Sequence, residues 1–150
     1  MREILFRGKR KDSSEWGEGR LLAADVIVPS GQEFILEANC IYGCDKPIIG
    51  YEVDEETVGQ FTGLTDKNGK KIFEGDIVRA ITLDTGTEKM AVVCFGNFID
   101  ENNGDEYIGF YIEFDGIKTT ATQLAMEECK NRIEVIGNIH DNLELLEVEE

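Results

Sequence analysis

Basic residues are few in this 150-residue chain, which has 15 lysines and arginines against 31 aspartates and glutamates. The resulting net charge of −16 repels phosphate backbones and anionic lipid surfaces, so it argues against nucleic acid as a partner and favours a basic protein. Long apolar runs are missing too, because none approaches the roughly 18 residues that a membrane-spanning helix needs. No apolar segment follows the basic N-terminus, so we expect no signal peptide, no membrane contact and a cytoplasmic location.

Histidine occurs once and cysteine four times, and we expect the cysteines to stay reduced in the cytoplasm. Cys40 and Cys44 have a spacing that some zinc sites use, but such sites normally have four ligands. The other candidates, Cys94, Cys129 and His140, are distant in sequence. Any Ser–His or Cys–His nucleophile would have to use His140, which lies beside an acidic tail. The sequence therefore predicts no catalytic residue, no metal and no cofactor, and the chain is not expected to be an enzyme.

Two other ligand-binding patterns are also missing. The chain contains neither a Gly-x-Gly-x-x-Gly motif nor a Walker motif, so a nucleotide site has no support. Asp66 and Asn68 have the spacing that opens a calcium-binding loop, but that loop needs Gly at its sixth position and Glu at its twelfth. Lys71 and Ile77 occupy those positions, and a β-turn is the better interpretation.

Short apolar segments separated by turn residues dominate the chain and predict a mainly β fold with short helices. Residues 20–28 and 33–37 suggest a hairpin, and residues 77–81, 89–95, 107–114 and 132–139 suggest further strands. We expect one domain over residues 1–150. Within it, an N-terminal β region (1–62) is expected to pack with a small C-terminal β-barrel (75–140).

Three segments together carry a family resemblance. They are residues 1–7 (MREILFR), residues 55–78 (EETVGQFTGLTDKNGKKIFEGDIV) and residues 133–142 (IEVIGNIHDN). With these segments the chain resembles the YopX family of phage and prophage proteins. The resemblance implies a mainly β fold and a phage or prophage setting in a bacterial host. It carries over no catalytic residue.

The central segment is rich in glycine, which permits tight turns and also lets a backbone present amides to a ligand. Our main interpretation is structural: the glycines bend the β scaffold. If the segment instead has a functional surface, its residues would be Gly63, Asp66, Asn68, Gly69, Glu74, Gly75 and Asp76.

Three functions remain open from the sequence. The favoured hypothesis is a non-catalytic accessory domain that binds a host or phage protein or assembles with itself. The second is a small-ligand binder or enzyme that uses the Gly59–Asp76 segment. The third is an acidic mimic of nucleic acid that competes for a DNA-binding protein.

Overall fold

The structure is a computed structural model that describes residues 3–29, 50–81, 86–101, 103–120 and 133–147. The described part contains ten β-strands and one short 3₁₀ helix, Leu143–Leu146. The strands are β1 (Phe6–Arg10), β2 (Trp16–Ala23), β3 (Val26–Pro29), β4 (Tyr51–Thr65), β5 (Lys71–Phe73), β6 (Asp76–Ile81), β7 (Glu88–Ile99), β8 (Glu106–Phe114), β9 (Ile117–Thr120) and β10 (Ile133–Asn138). All their pairings are antiparallel, so the predicted mainly β class is confirmed.

The chain divides into two compact units between Gln60 and Phe61. In the N-terminal unit, β1 pairs with β2, β2 with β3, and both β3 and β1 with β4, so the pairings form a closed circuit. The circuit requires close backbone approach at Gly19, where a Cβ atom would lie only 1.8 Å from the carbonyl oxygen of Val28. Whether residues 1–150 act as one domain stays a prediction.

The C-terminal unit contains a five-stranded sheet in the order β10-β6-β7-β8-β9. One face of this sheet packs on the β4–β5 hairpin, because Ile72 of β5 belongs to the same buried cluster as residues of four sheet strands. The cluster consists of Ile72, Val78, Ala91, Val93, Ile112, Ile133 and Val135. Alternating apolar residues on the sheet strands supply this core, as the period of two along a strand requires.

Among the pairings of the described residues, β9 and β10 do not join, so the C-terminal barrel is not confirmed. The first hairpin was predicted wrongly at its turn: residues 20–28 are not one strand, because the chain turns at Ala24 and Asp25 and β2 pairs with β3. Its predicted return strand at 33–37 lies outside the described residues, as do Cys40, Cys44 and Cys129.

Candidate interaction site

Most residues of the predicted surface of the central segment lie in or next to two turns, one at each end of β5. Asn68 and Gly69 are exposed in the first turn, whereas Asp66 in that turn and Asp76 after the second are buried. The other members are Gly63, exposed in β4, and the pair Glu74 and Gly75, half-buried and buried in the second turn. Backbone φ angles of +87°, +79° and +89° at Gly63, Gly69 and Gly75 agree with a bending role.

Both buried carboxylates accept hydrogen bonds from backbone amides. Asp66 accepts hydrogen bonds at Oδ1 from the amides of Asn68 and Lys70, at 2.8 and 2.9 Å, which fixes the turn. Asp76 accepts one at Oδ2 from the Phe73 amide at 2.8 Å. These contacts give the aspartates a structural use of the kind expected in Asx turns.

Asp66 also reaches a neighbouring strand. Its Oδ2 accepts a hydrogen bond from the Val135 amide at 3.0 Å, and the Lys67 amide donates to the Ile133 carbonyl at 3.0 Å. Ile133 and Val135 lie on β10, and the groups they use point away from β6, at the outer edge of the sheet. The turn therefore covers an edge that would otherwise offer an unpaired donor and acceptor to another chain.

The opposite edge of the sheet is covered in the same way by Asp100, which is buried after β7. Its Oδ2 accepts from the Thr120 amide at 3.1 Å, and the Glu101 amide donates to the Lys118 carbonyl at 3.1 Å. At both edges, an aspartate side chain accepts a hydrogen bond from one backbone amide of the edge strand. The amide of the residue after that aspartate donates to the edge-strand carbonyl two residues earlier. Both aspartates open a turn that contains Asn-Gly, at residues 66–70 and 100–105.

Asp100 can reach β9 only because the β7–β8 hairpin folds back on itself. Phe98 pairs with Tyr107, yet its ring also stacks on Tyr111, with ring centroids 4.7 Å apart. Four residues along a straight strand would separate such rings by about 13 Å. The bend lies at Gly96 and Gly109, which face each other across the hairpin with φ values of +152° and +157°. Space does not dictate glycine there, since nothing lies within 4 Å of either Cβ position, but the backbone conformation does.

The outer face of the bent hairpin carries exposed apolar side chains. Past the buried Ala91 and Val93, the same face continues with Phe95, Ile99 and Ile108, which are 51%, 58% and 77% exposed. They belong to three cross-strand pairs at every second position along the hairpin: Phe95–Phe110, Asn97–Ile108 and Ile99–Glu106. Phe95 is held against Phe110 edge to face, with centroids 4.9 Å apart. We call Phe95, Ile99 and Ile108, with Glu106, the hairpin face.

The charged residues of the hairpin segment around the hairpin face, residues 95–110, are all acidic. Residues 95–110 contain four acids and no lysine or arginine. Asp100 is buried, while Glu101, Asp105 and Glu106 are exposed. Lys118 lies on the inner face instead, with its Nζ 5.6 Å from the Tyr111 ring.

The groups that could support chemistry do not form a site in the described part of the chain. Burial, with the nearby charge of Glu113, raises the pKa of the Cys94 thiol, so this cysteine stays protonated and is a poor nucleophile. His140 is exposed next to Gly75. No cluster of three or more potential metal ligands occurs among the described residues, and no helix among them is long and apolar enough to span a membrane.

The last segment of the family resemblance has a packing explanation. A Cβ atom at Gly137 would lie 2.6 Å from Oδ1 of Asn142. That oxygen accepts a hydrogen bond from the Asn138 amide at 3.3 Å, and Asn138 Oδ1 accepts from the amides of His140 and Asp141. The segment after β10 is thus a set of Asn-based turns.

Sequence reasoning missed the hairpin face and Asp100. The apolar alternation of residues 89–95 continues through Phe95 to Ile99, and this was a usable signal. So was the second Asn-Gly turn, which repeats the chemistry of the first.

The fold and the site define an all-β protein with antiparallel sheets and a bent hairpin that exposes an apolar face. The chain belongs to the YopX family, whose model, described as YopX protein, matches residues 5–147. No curated protein matches the chain. Among solved structures, the crystal structure of protein EF1440 from Enterococcus faecalis is similar over 98% of this chain and 100% of that one, with 22% identity and a TM-score of 0.48. A likeness at that level supports no functional argument.

Proposed function

We propose that this phage-type protein is a non-catalytic binding domain in the cytoplasm of its bacterial host, and that it binds another protein through the hairpin face. The observation that supports the proposal is the exposure of Phe95, Ile99 and Ile108, which are neighbours on one face of the hairpin at alternate cross-strand pairs. Single exposed apolar side chains are common, whereas adjacent ones on a rigid surface are typical of protein contacts.

The covered sheet edges favour a face over an edge as the binding surface. Strand addition needs a free row of backbone donors and acceptors. In the C-terminal sheet, Asp66 and Lys67 use such groups on β10, and Asp100 and Glu101 use them on β9. A partner that approaches this sheet is therefore expected to meet side chains.

Affinity capture with matched variants tests the proposal. The wild-type chain, the double variant Ile99→Ser/Ile108→Ser and the double control Ile4→Ser/Leu22→Ser are immobilised and exposed to host lysate, with and without phage proteins. Ile4 and Leu22 are 64% and 45% exposed and belong to the N-terminal unit, so the control removes a comparable exposed apolar area outside the hairpin. We expect a protein that wild type and control retain and the double variant loses. Equal retention by all three chains, or no retained protein, would contradict the proposal.

A further inference from the structure

We infer that the partner of the hairpin face is a cationic segment, in which one or two apolar side chains are flanked by lysine or arginine. This inference rests on the proposed function and adds the chemistry of the partner. It follows from two properties of one surface: exposed apolar side chains, and neighbouring acids with no lysine or arginine within residues 95–110.

The apolar part of the surface gives the partner its anchor. Ile108 is flanked across the hairpin by Asn97 and diagonally by Phe95 and Ile99, so a side chain that lands between them removes several apolar groups from water at once. The Phe95 ring is already fixed by Phe110, so less side-chain freedom is lost on binding.

The acids determine the sign of the partner's charge. Glu106 is directly opposite Ile99 on the same face, and Glu101 and Asp105 are exposed at the tip. An anionic partner would bring like charges together beside an apolar contact, which costs binding energy and slows association. A cationic partner would bind more tightly and associate faster, and the net charge of −16 steers it toward the chain.

The same charges argue against a second copy of this chain as the partner. Face-to-face pairing of two copies through this surface would bring together the exposed acids Glu101, Asp105 and Glu106, and residues 95–110 of neither copy supply a lysine or arginine. The covered edges of β9 and β10 also hinder pairing of two such sheets by strand addition.

A set of labelled peptides tests the inference directly. The probe is a 12-residue peptide of alternating lysine and leucine, and its binding is measured by fluorescence anisotropy. One control peptide replaces lysine with glutamate, and another replaces leucine with serine. We expect the lysine–leucine peptide to bind, the glutamate–leucine peptide not to bind, and the lysine–serine peptide to bind at least about tenfold more weakly.

Charge-matched protein variants separate the hairpin face from general attraction to an acidic protein. Glu101→Gln/Glu106→Gln removes two charges at the hairpin, and Glu55→Gln/Glu56→Gln removes two exposed charges on β4. We expect the first pair to raise Kd by about threefold to tenfold and the second by less than about twofold.

Ile108→Ser should weaken binding by about tenfold, and raising the salt from 50 to 300 mM should weaken it further. Equal effects of the two charge pairs, or no effect of Ile108→Ser, would overturn the inference.

The outcomes also distinguish this inference from the proposed function. If the captured partner depends on Ile99 and Ile108 but is unaffected by Glu101→Gln/Glu106→Gln, the cationic partner is wrong and the binding face stands. If sedimentation shows an Ile108-dependent dimer of the wild-type chain, the occupant is a second copy and the inference fails. If neither the apolar nor the charge variants change partner binding, both proposals fail.

Discussion

Asp66 and Asp100 show how single residues determine both a turn and a sheet edge. Each has a buried carboxylate that connects its own turn to another strand. Asp66 accepts a hydrogen bond from the Val135 amide, and Asp100 accepts one from the Thr120 amide. Each residue also accepts hydrogen bonds from backbone amides of the turn that it opens. Asp66 does so through Oδ1, and Asp100 does so through its main-chain carbonyl. A buried amide without an acceptor is costly, so the substitution of either residue affects two elements.

Asp66→Asn should lower the free energy of unfolding by about 1–3 kcal/mol, because an amide group offers one acceptor oxygen where the carboxylate offers two. Urea unfolding followed by circular dichroism measures the change. The control Glu56→Gln alters an exposed acid and should stay within about 0.5 kcal/mol of wild type. A neutral result for Asp66→Asn would contradict the structural role of this carboxylate.

The same carboxylate predicts a dependence of stability on pH. Burial raises the pKa of Asp66, but hydrogen bonds from the Val135, Lys70 and Asn68 amides together outweigh it, so the pKa lies below its usual 3.8. A depressed folded-state pKa gives stability that is complete above the unfolded-state value and is lost as pH falls through the folded-state value. Unfolding measured from pH 6 down to pH 2 should therefore show a loss below about pH 4 that is smaller in Asp66→Asn. An identical pH profile in both proteins would contradict the assignment.

At the scale of the element, the bent β7–β8 hairpin is the feature that most affects function. The bend brings the tip back to β9 and places Phe98 on Tyr111 inside the curve. The outer face then carries Phe95, Ile99 and Ile108 beyond the core, where no described strand packs on them. A straight hairpin would present the same side chains without the covered edge of β9.

Gly96→Ala/Gly109→Ala should destabilise the bend by about 1–3 kcal/mol per site, because side chains disfavour the φ values found there. Hydrogen exchange of the Thr120 amide should become faster, since Asp100 would no longer be held against it. Asn97→Ala is the control, because it alters the outer face and leaves the backbone conformation accessible. Unchanged protection of Thr120 in the glycine variant would show that the bend does not depend on these residues.

Four strands of the C-terminal sheet (β6, β7, β8 and β10) and the local turns could be predicted from the sequence, whereas the contacts between distant elements could not. Asn68-Gly69 and Glu74-Gly75 are turn signals that act over a few residues, and the structure has turns at both places. The edge cover of Val135 by Asp66 spans 69 residues, and no local pattern indicates it. Asp54 and Thr57 illustrate the intermediate case. Thr57 Oγ1 donates locally to the Asp54 carbonyl, but it also accepts a hydrogen bond from the Lys9 amide, 48 residues away, and helps form an irregularity in β4.

At the scale of the whole molecule, strong negative charge combines with covered sheet edges and an exposed apolar face. The charge and the covered edges both oppose self-association of the C-terminal sheet, and the face remains available for a different protein. We therefore expect the wild-type chain not to self-associate through this sheet.

Asp100→Ala should remove part of that protection. The Thr120 amide would lose its acceptor, and the outer edge of β9 would be open to another strand. Sedimentation velocity over a range of concentrations is expected to show association of Asp100→Ala that wild type lacks. Association that wild type shows to the same extent would mean that the edges are not what limits it.

Binding at the hairpin face can be located by chemical-shift mapping of the 15N-labelled chain during titration with the lysine–leucine peptide. We expect the largest changes at amides of residues 95–99 and 106–110, with small changes at Thr120 and Val135 on the sheet edges. Changes concentrated at Thr120 and Val135, or spread evenly over the exposed acids of both units, would contradict binding at this face.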